Sequence, residues 1–521
     1  MVKKKVFYAG CKEFFYIDIA KKLLKEKNLE PVYWTANIKH KEKIVKEFPG
    51  IVFLDNFYAV RGYVPEILKK EYNLFKSSLI NLKLLKLRKI SSYMLERFNW
   101  NNSFEKKERS DVIDFHINFA DFITEKYKPE IVIFQEVPHF VYDYILYEIC
   151  KIKKIKTLIF GFTNISGFAY VMNNIWHTSK KLNYNYKKNL NLSDKENFKL
   201  DSFNKEYLRI KNKVETEPPS ELWIKKKIEQ NISTLQILPK LKKIFFSNFK
   251  TTFENLGKLF KKNSLTNASN MKLKNKSFKE FPSYIKIFFN IKKSEKKTLR
   301  LKKYYNEISN KVPNFKNNYI NFFIHYEPER TISPQAGLLY DQISLIDYIS
   351  KQMPKGWYLY VKEHPKTFST HHLMRNQYRS KLDYDKLLKN KNIIFINQNY
   401  PSLNLIKNSK ANITGSGSAG LESIIYLKPL MSFGYSWTNQ FNYTLNIRTK
   451  NKLKKAIKLI EQNKVNFTEK DTLIFLKSLE QSSYNMYYTS GLLYELNISL
   501  DHKQNIEQLT NSIIDYYDNY F

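Results

Sequence analysis

Four clusters of polar residues each follow a predicted strand in the second half of the chain. They are 325–331, 362–366, 415–422 and 434–437. The carboxyl ends of parallel strands meet at one edge of a sheet, and open α/β folds bind their ligands outside that edge. The clusters therefore predict a single ligand site built from several strand ends.

The cluster at 415–422 has the composition of a phosphate-binding loop. Three of the chain's 13 glycines fall within residues 415–420, between a predicted strand and a predicted helix. Glycine lets backbone N–H groups approach an anion, and the start of a helix adds a partial positive charge. The Gly-Lys-Ser/Thr ending of a P-loop is missing, and an ordinary Gly/Ser turn with a serine N-cap is the alternative. The predicted phosphate ligands are Gly415, Ser416, Gly417 and Ser418.

Two further residues are candidates for contacts to a nucleotide. His364 precedes Pro365, which holds it in an extended conformation at a strand end. Between Lys362 and Lys366, it is placed to donate to a phosphate or to act as an acid toward a leaving phosphate, although a lone histidine is more often structural. Glu422 falls near the first turn of the helix after the glycine loop, where it accepts from ribose hydroxyls or interacts with the helix dipole.

Carboxylates beside strand ends supply the candidates for acid–base chemistry. Glu136 and His139 follow a strand in the first part of the chain and together predict a general base for a hydroxyl group. The alternative is a loop that caps the start of a helix. Glu327, Glu329 and Arg330 either clamp a substrate or join an ion-pair network.

The elements that must position these residues follow an α/β pattern. Short apolar runs alternate with helical stretches over residues 1–180, and the pattern returns over 316–521, which ends in a helical tail from about 470. Residues 181–315 carry few strand signals, much Lys and Asn, and little Gly. The sequence therefore predicts two α/β domains, 1–180 and 316–521, separated by a basic, mainly helical insertion at 181–315.

The charge of the chain restricts its partners. Its 521 residues include 88 Lys and Arg against 49 Asp and Glu, a net charge of +39, and 22 against 6 of these fall in residues 221–310. An AT-rich genome, which favours lysine in its proteins, accounts for part of the excess positive charge. The remainder indicates an anionic partner. An amphipathic basic stretch within 241–262 either lies on anionic lipid or is a packed helix with a solvated lysine face.

Several classes of protein are excluded by composition. Aromatic residues make up 16% of the chain, which excludes a disordered protein, and two cysteines exclude a disulfide framework.

No apolar run reaches the ~18 residues that span a bilayer, so a cytosolic protein is expected. No HExxH motif or cysteine pair occurs, and the adjacent His371 and His372 lack ligand spacing, so no metal site is predicted.

These motifs resemble the bacterial capsule polysaccharide biosynthesis family, which includes the Kdo transferases of the lipid-linked capsule linker. The similar segments are HYEPERT at 325–331 with the following Ser333-Pro334, YVKEHP at 360–365, TGSGSAGLE at 414–422, and more weakly EVPHFVYDY at 136–144. That family is similar to GT-B glycosyltransferases, including bacterial sialyltransferases that hold a CMP-sugar with a His-Pro motif and a serine pair. The resemblance implies two Rossmann-like domains that face a cleft.

The same resemblance implies roles for particular residues. His364, Ser416 and Ser418 would contact the donor phosphate, and Glu422 the ribose region. The acceptor would lie on the first domain and the donor on the second, with no catalytic metal and no tightly bound cofactor. Here Gly417 separates the two serines, so the assignment of each hydroxyl stays open.

The resulting prediction is a glycosyltransferase of capsular or surface polysaccharide synthesis that uses a CMP-activated acidic sugar such as Kdo. Glu136, His139 and His364 are the predicted catalytic residues, and the acceptor is a saccharide or a lipid-linked saccharide. The basic segment 225–303 is expected to hold the enzyme on the inner face of the membrane.

Three other functions remain open. The chain could be a CDP-linked polyol phosphotransferase of the teichoic-acid type, or a non-catalytic partner in capsule assembly or export. Its charge also fits a nucleic-acid-binding protein, but no nucleic-acid motif occurs and no nucleic-acid partner is expected.

Overall fold

Two α/β domains make up the part of the chain that the computed structural model describes. That part comprises residues 3–77, 79, 81–96, 106–176, 179–193, 197–213, 281–327, 329–368, 378–492 and 500–521. The predicted amphipathic stretch at 241–262 and the pair His371-His372 lie outside the described residues.

The first sheet has seven strands in the order β13-β6-β5-β4-β1-β2-β3. They are β1 (Lys4–Ala9), β2 (Leu29–Ala36), β3 (Val52–Asp55), β4 (Ile131–Phe134), β5 (Lys156–Phe162), β6 (Phe168–Met172) and β13 (Ser483–Asn485). The first five are parallel, whereas β6 runs antiparallel to β5 and β13 antiparallel to β6.

Helices surround this sheet, and its central strands are therefore apolar on both faces. They are α1 (Phe15–Lys27), α2 (Lys41–Glu47), α3 (Asn56–Val60), α4 (Glu66–Leu74), α5 (Asn81–Leu95), α6 (Lys106–Tyr127) and α7 (Val141–Ile152). In β1, Phe7 and Ala9 pack into one core cluster and Val6 and Tyr8 into another.

The second sheet has six parallel strands in the order β12-β11-β10-β7-β8-β9. They are β7 (Asn318–Phe323), β8 (Trp357–Lys362), β9 (Ile393–Ile396), β10 (Ala411–Thr414), β11 (Leu430–Ser432) and β12 (Thr444–Asn446). Counted within the domain, this is the 3-2-1-4-5-6 order of a Rossmann fold. The predicted α/β fold class with two Rossmann-like domains is confirmed.

The remaining helices connect and cover the two domains. They are α8 (Lys180–Leu192), α9 (Asn204–Lys211), α10 (Phe281–Ile308), α11 (Gln342–Ser350), α12 (Lys381–Leu388), α13 (Ser402–Asn408), α14 (Ala419–Ile425), α15 (Lys450–Glu461), α16 (Glu469–Ser482) and α17 (His502–Asn519). None of the helices in the described ranges is both long and apolar enough to cross a membrane.

The second domain begins earlier than the predicted residue 316. Leu301 and Tyr305 of α10 are buried in its core. The Tyr305 hydroxyl donates to the carbonyl of Ile396 at 2.8 Å and accepts from the backbone N–H of Glu363 at 2.9 Å. The end of α10 is therefore part of this domain, which the high Lys content of the region hid from the sequence analysis.

The C-terminal tail also differs from the prediction, which assigned all of 316–521 to the second domain. Strand β13 extends the first sheet, and α17 packs on α1 through buried Ile506, Leu509 and Ile513. The last part of the chain therefore returns to the first domain. An amphipathic helix pattern shows that a helix buries one face, but not against which sheet.

This placement predicts that Leu509→Ala destabilises the first domain. Leu509 is fully buried against α1, so its truncation should lower the free energy of unfolding by about 2–5 kcal/mol. Leu382→Ala, at a leucine on α12 that is 77% exposed, is the matched control and should change it by less than about 0.5 kcal/mol. Equal effects of the two variants in urea unfolding would contradict the docking of the tail.

Candidate functional site

Each sheet reverses its winding direction between two central strands, and the predicted site residues follow those strands. The reversal lies between β1 and β4 in the first sheet and between β7 and β10 in the second. At such a point the loops after the two strands separate and leave a crevice that binds ligands. These loops contain Gln135–His139 in the first domain, and His325–Arg330 and Gly415–Ser418 in the second.

An ion pair joins the two crevices. Arg330 Nη1 of the second domain lies 3.0 Å from Glu136 Oε2 of the first, and Lys12 Nζ lies 3.5 Å from Glu136 Oε1. Arg330 also hydrogen-bonds to Tyr488 in the tail. The loops at the carboxyl edges of the two sheets are therefore in contact.

Glu136 is an ionised carboxylate over the whole neutral range. Burial acts to raise its pKa, but the positive charges of His139 in its protonated form, of Lys12 and of Arg330 outweigh burial and lower the pKa to about 2. A group with so low a pKa is a poor base near pH 7. It can instead stabilise a positive charge that forms beside it.

His139 has the geometry of the base in this pair. Its Nδ1 lies 2.9 Å from the carbonyl oxygen of Val137, and a carbonyl only accepts. The neutral ring therefore carries its proton on Nδ1, which leaves Nε2 as the basic nitrogen.

Asp143, which lies near Glu136, was not among the predicted site residues. Burial, and to a smaller extent the charge of Glu136, raise the pKa of Asp143 well above the ordinary range.

His325 is the residue of the second crevice that the sequence analysis passed over. Its Nε2 accepts from the backbone N–H of Gly415 at 2.8 Å and lies 2.9 Å from the Thr414 hydroxyl. Because a backbone N–H can only donate, the proton of the neutral ring is on Nδ1. Burial lowers the pKa of His325 to about 4, so the ring is neutral at pH 7. No described residue accepts a hydrogen bond from Nδ1.

The glycines of the loop are required by this histidine. A Cβ atom on Gly415 would lie 3.1 Å from His325 Nε2, and one on Gly417 would lie 2.9 Å from His325 Cε1. A side chain at 417 would force the ring to move, and one at 415 would require a shift of a few tenths of an ångström. The glycines thus let the loop backbone pack against the imidazole. The sequence analysis explained them instead by phosphate binding or by an ordinary turn.

The two serines of the loop differ in their surroundings. Ser416 Oγ donates to the carbonyl of Thr331 at 3.3 Å. Ser418 is exposed and precedes α14, but its side chain makes no capping hydrogen bond. The predicted alternative, a serine N-cap, is therefore not formed at Ser418.

His364 is a second neutral imidazole, with the opposite tautomer. Its Nδ1 accepts from the backbone N–H of Lys366 at 3.2 Å, so its proton is on Nε2. Burial first, and then the positive charges of Lys366, His325 and Lys362, lower its pKa to about 3. The electrostatic coupling shows that the two histidines lie near each other. At neutral pH His364 is therefore an uncharged ring whose Nε2–H is available as a hydrogen-bond donor.

The lysines on either side of His364 already have partners. Lys362 is buried, and its ammonium lies 2.5 Å from the hydroxyl of Ser402 at the start of α13. Lys366 Nζ lies 3.6 Å from Glu329 Oε1. Both contribute positive potential at His364, and Glu329 belongs to an ion pair.

Glu327 joins a buried ion-pair network, one of its two predicted roles. Arg379 pairs with Glu327 and, through Nε at 2.7 Å, with Glu363. The Tyr93 hydroxyl of α5 donates to Glu327 at 2.8 Å, and the Tyr384 hydroxyl to Glu363 at 3.0 Å. The network fixes the backbone between β7 and β8 and ties it to the first domain. Arg379 is distant in sequence, and no local pattern marks it.

Glu422 lies on the side of α14 that faces α9. It is partly buried, and it adds a smaller effect to that of Glu206, whose hydrogen bond is the main cause of the raised pKa of Arg209 on α9. Its predicted contact to a ribose stays a prediction. Within the described ranges, no group of three or more His, Cys, Asp or Glu side chains is arranged to hold a metal ion.

No protein-family model and no curated protein matches this chain. Among solved structures it is similar to UDP-GlcNAc 2-epimerase from Methanocaldococcus jannaschii, with 14% identity over 92% of this chain and 99% of that chain and a TM-score of 0.24. UDP-GlcNAc 2-epimerase from Neisseria meningitidis shows 12% identity over 99% of each chain and a TM-score of 0.23. The lipopolysaccharide outer core galactosyltransferase WaaB shows 11% identity over 98% of this chain and 99% of that chain and a TM-score of 0.25. Similarities this low assign no function to the chain.

We expect the rings of His325 and His364 to stay neutral from pH 8 down to about pH 5. Because their pKa values of about 4 and about 3 lie below the ordinary 6.5, the unfolded chain takes up protons first as the pH falls. Each ring therefore stabilises the fold above pH 6.5, and this contribution is lost as the pH falls to about 4 for His325 and to about 3 for His364. Histidine Cε1–H resonances, assigned with His325→Gln and His364→Gln, measure this directly. A titration midpoint near 6.5 for either ring would contradict the assignment.

Proposed function

We propose that this protein is a glycosyltransferase that moves an acidic sugar from a CMP-linked donor to a saccharide hydroxyl in the synthesis of a surface polysaccharide. One observation carries the proposal. Two neutral histidines, each held in one tautomer by a backbone N–H, lie at the strand ends of the second domain, and the Arg330–Glu136 ion pair connects the loops of that domain to the His139–Glu136 segment of the first.

The donor phosphate is proposed to bind at the second-domain crevice. His325 Nδ1–H and His364 Nε2–H are donors whose direction is fixed before the ligand arrives. Preorganised donors stabilise charge that develops on a leaving group without reorganising during the reaction. The hydroxyl of Ser418 and the positive potential of Lys366 add to them, and a metal ion has no necessary part in the step.

The acceptor hydroxyl is proposed to bind at the first-domain crevice. His139 Nε2 takes the hydroxyl proton, and the adjacent Glu136 carboxylate stabilises the imidazolium that results. This is the division of roles in a carboxylate–histidine pair. Arg330, which pairs with Glu136, comes from the donor domain, so closure of the two domains would complete the acceptor side.

The reaction balances with these groups alone. The acceptor oxygen forms a bond to the anomeric carbon, and the bond from that carbon to the donor phosphate oxygen breaks with its electron pair. CMP leaves with the negative charge, which the two histidine N–H groups stabilise. The acceptor proton goes to His139 and from there to solvent.

The choice of a CMP-linked acidic sugar rests on the resemblance of the 325–331, 360–365 and 414–422 segments to capsule enzymes. Lys12 and Arg330 pair with Glu136, and Lys366 pairs with Glu329, which leaves an excess of positive charge around the two crevices. That excess fits a donor that carries a carboxylate. Association with the inner face of the membrane is proposed from the basic composition of residues 225–303, which would attract anionic lipid around a lipid-linked acceptor.

Product analysis tests the proposal. The full chain is incubated with an acidic oligosaccharide acceptor and, in separate reactions, CMP-Kdo, CMP-sialic acid, UDP-GlcNAc or CDP-glycerol, and the products are weighed by mass spectrometry. We expect the mass of an acidic sugar to be added from a CMP donor. Addition of phosphoglycerol would favour the polyol phosphotransferase instead, and no transfer from any donor would favour a non-catalytic assembly partner.

Replacement of His139 should separate chemistry from binding. His139→Gln removes the proposed base, so kcat should fall about 10²–10⁴-fold while CMP binds as it does to the wild type. His502→Gln, at an exposed histidine of α17, is the matched control and should keep full activity. A His139→Gln enzyme with the wild-type kcat would exclude His139 as the base.

A further inference from the structure

A cavity lined by residues with polar side chains lies at the edge of the first sheet opposite to the candidate active site. Its volume is about 610 Å³, within the range of ~300–1,000 Å³ of small-molecule sites. It is lined by Lys151 at the end of α7 and by Asn173 after β6. Helix α7 starts next to His139 and is 12 residues long, so Lys151 lies roughly 18 Å away along the helix axis.

Both domains contribute to this cavity. Lys180 and Ser179, at the start of α8, line one side, and Gln440 of the second domain lines another. The Gln440 amide group donates to the carbonyl of Ser179 at 3.0 Å. The cavity is therefore a second place where a ligand would contact both domains.

Two lysines, Lys151 and Lys180, line the cavity, and neither forms an ion pair with a carboxylate among the described residues. Burial lowers the pKa of Lys151, and the nearby charge of Lys180 lowers it further, against a partial offset from Cys150 and Glu148. Lys180 Nζ donates to the carbonyl of Tyr520 at 2.9 Å, which is an uncharged partner. The neighbouring Lys153 and Lys181, by contrast, each pair with carboxylates. An anion between Lys151 and Lys180 would remove the repulsion between them.

Apart from Ser179, the rest of the lining consists of residues with amide side chains, which both donate and accept hydrogen bonds. Asn174 accepts from the Tyr147 hydroxyl at 3.1 Å and from the backbone N–H of Trp176 at 2.8 Å, which fixes its orientation. The Gln440 Oε1 atom is buried and has no hydrogen-bond partner among the described residues. A buried amide oxygen without a donor is unfavourable, and a ligand hydroxyl would supply the donor.

The geometry points to a second saccharide site, in which this cavity binds a short anionic oligosaccharide. Its carboxylate or phosphate group lies between Lys151 and Lys180, and its hydroxyl groups pair with the amides of Asn173, Asn174 and Gln440. The site is separate from the proposed donor and acceptor crevices. Lysines alone would accept any anion, so the combination of lysines and amide side chains is what selects an anionic saccharide.

Calorimetric titration of the full chain tests the site with three probes. Trigalacturonate carries carboxylates and hydroxyls, maltotriose carries only hydroxyls, and inorganic phosphate is only an anion. We expect trigalacturonate to bind at least tenfold more tightly than either of the others. Equal binding of maltotriose or of phosphate would overturn the proposal, as would no binding of trigalacturonate at millimolar concentration.

Paired variants show whether the binding is at this cavity. Lys151→Gln with Lys180→Gln should weaken trigalacturonate at least tenfold and leave CMP binding unchanged. Lys154→Gln with Lys188→Gln, at two exposed lysines of the same region, removes the same charge and should have no effect. Equal weakening by the two pairs would overturn the proposal, because it would assign the binding to the general charge of the chain. Matching thermal unfolding midpoints establish that both pairs are folded.

Discussion

The hydrogen bond from the backbone N–H of Gly415 to His325 Nε2 determines the arrangement of the second-domain crevice. It joins the ends of β7 and β10 at the winding reversal, and it fixes which nitrogen of the ring carries the proton. It also explains Gly415 and Gly417, whose Cβ atoms would strike the imidazole. An N–H donor is thereby fixed at the edge of the sheet where a Rossmann-like domain binds its ligand.

The two domains are held in register by charges that come from the same loops. Arg330 reaches Glu136 of the first domain, while Glu327, three residues earlier, pairs with Arg379 inside the network that also receives the Tyr93 hydroxyl. A segment of four residues thus provides both the contact between the crevices and the anchor for its own backbone. Removal of one charge from a buried network leaves the other uncompensated, which ties stability to the geometry of the site.

Much of this arrangement could be predicted because strand ends are local features. The apolar runs at β4, β8, β9 and β10 and the polar residues after them placed His364, Glu136 and the 415–418 loop correctly at sheet edges. The sequence could not show that α17 returns to the first sheet, because helix periodicity does not identify the surface a helix covers. The roles of His325 and Arg379 depend on partners that lie 90 and 52 residues away in the chain, Gly415 and Glu327.

The proposed function depends most on one claim, that His325 and His364 bind a nucleotide phosphate. Isothermal titration calorimetry of CMP, CDP, UDP and GDP against the wild-type chain and His364→Ala tests it most directly, with His502→Ala as the control. Loss of one hydrogen bond to a charged phosphate should weaken binding about 10–100-fold, so CMP should bind the wild type and the control alike and His364→Ala much less tightly. If no nucleotide binds the wild type at millimolar concentration, or if His364→Ala binds CMP as well as the wild type does, the account is wrong.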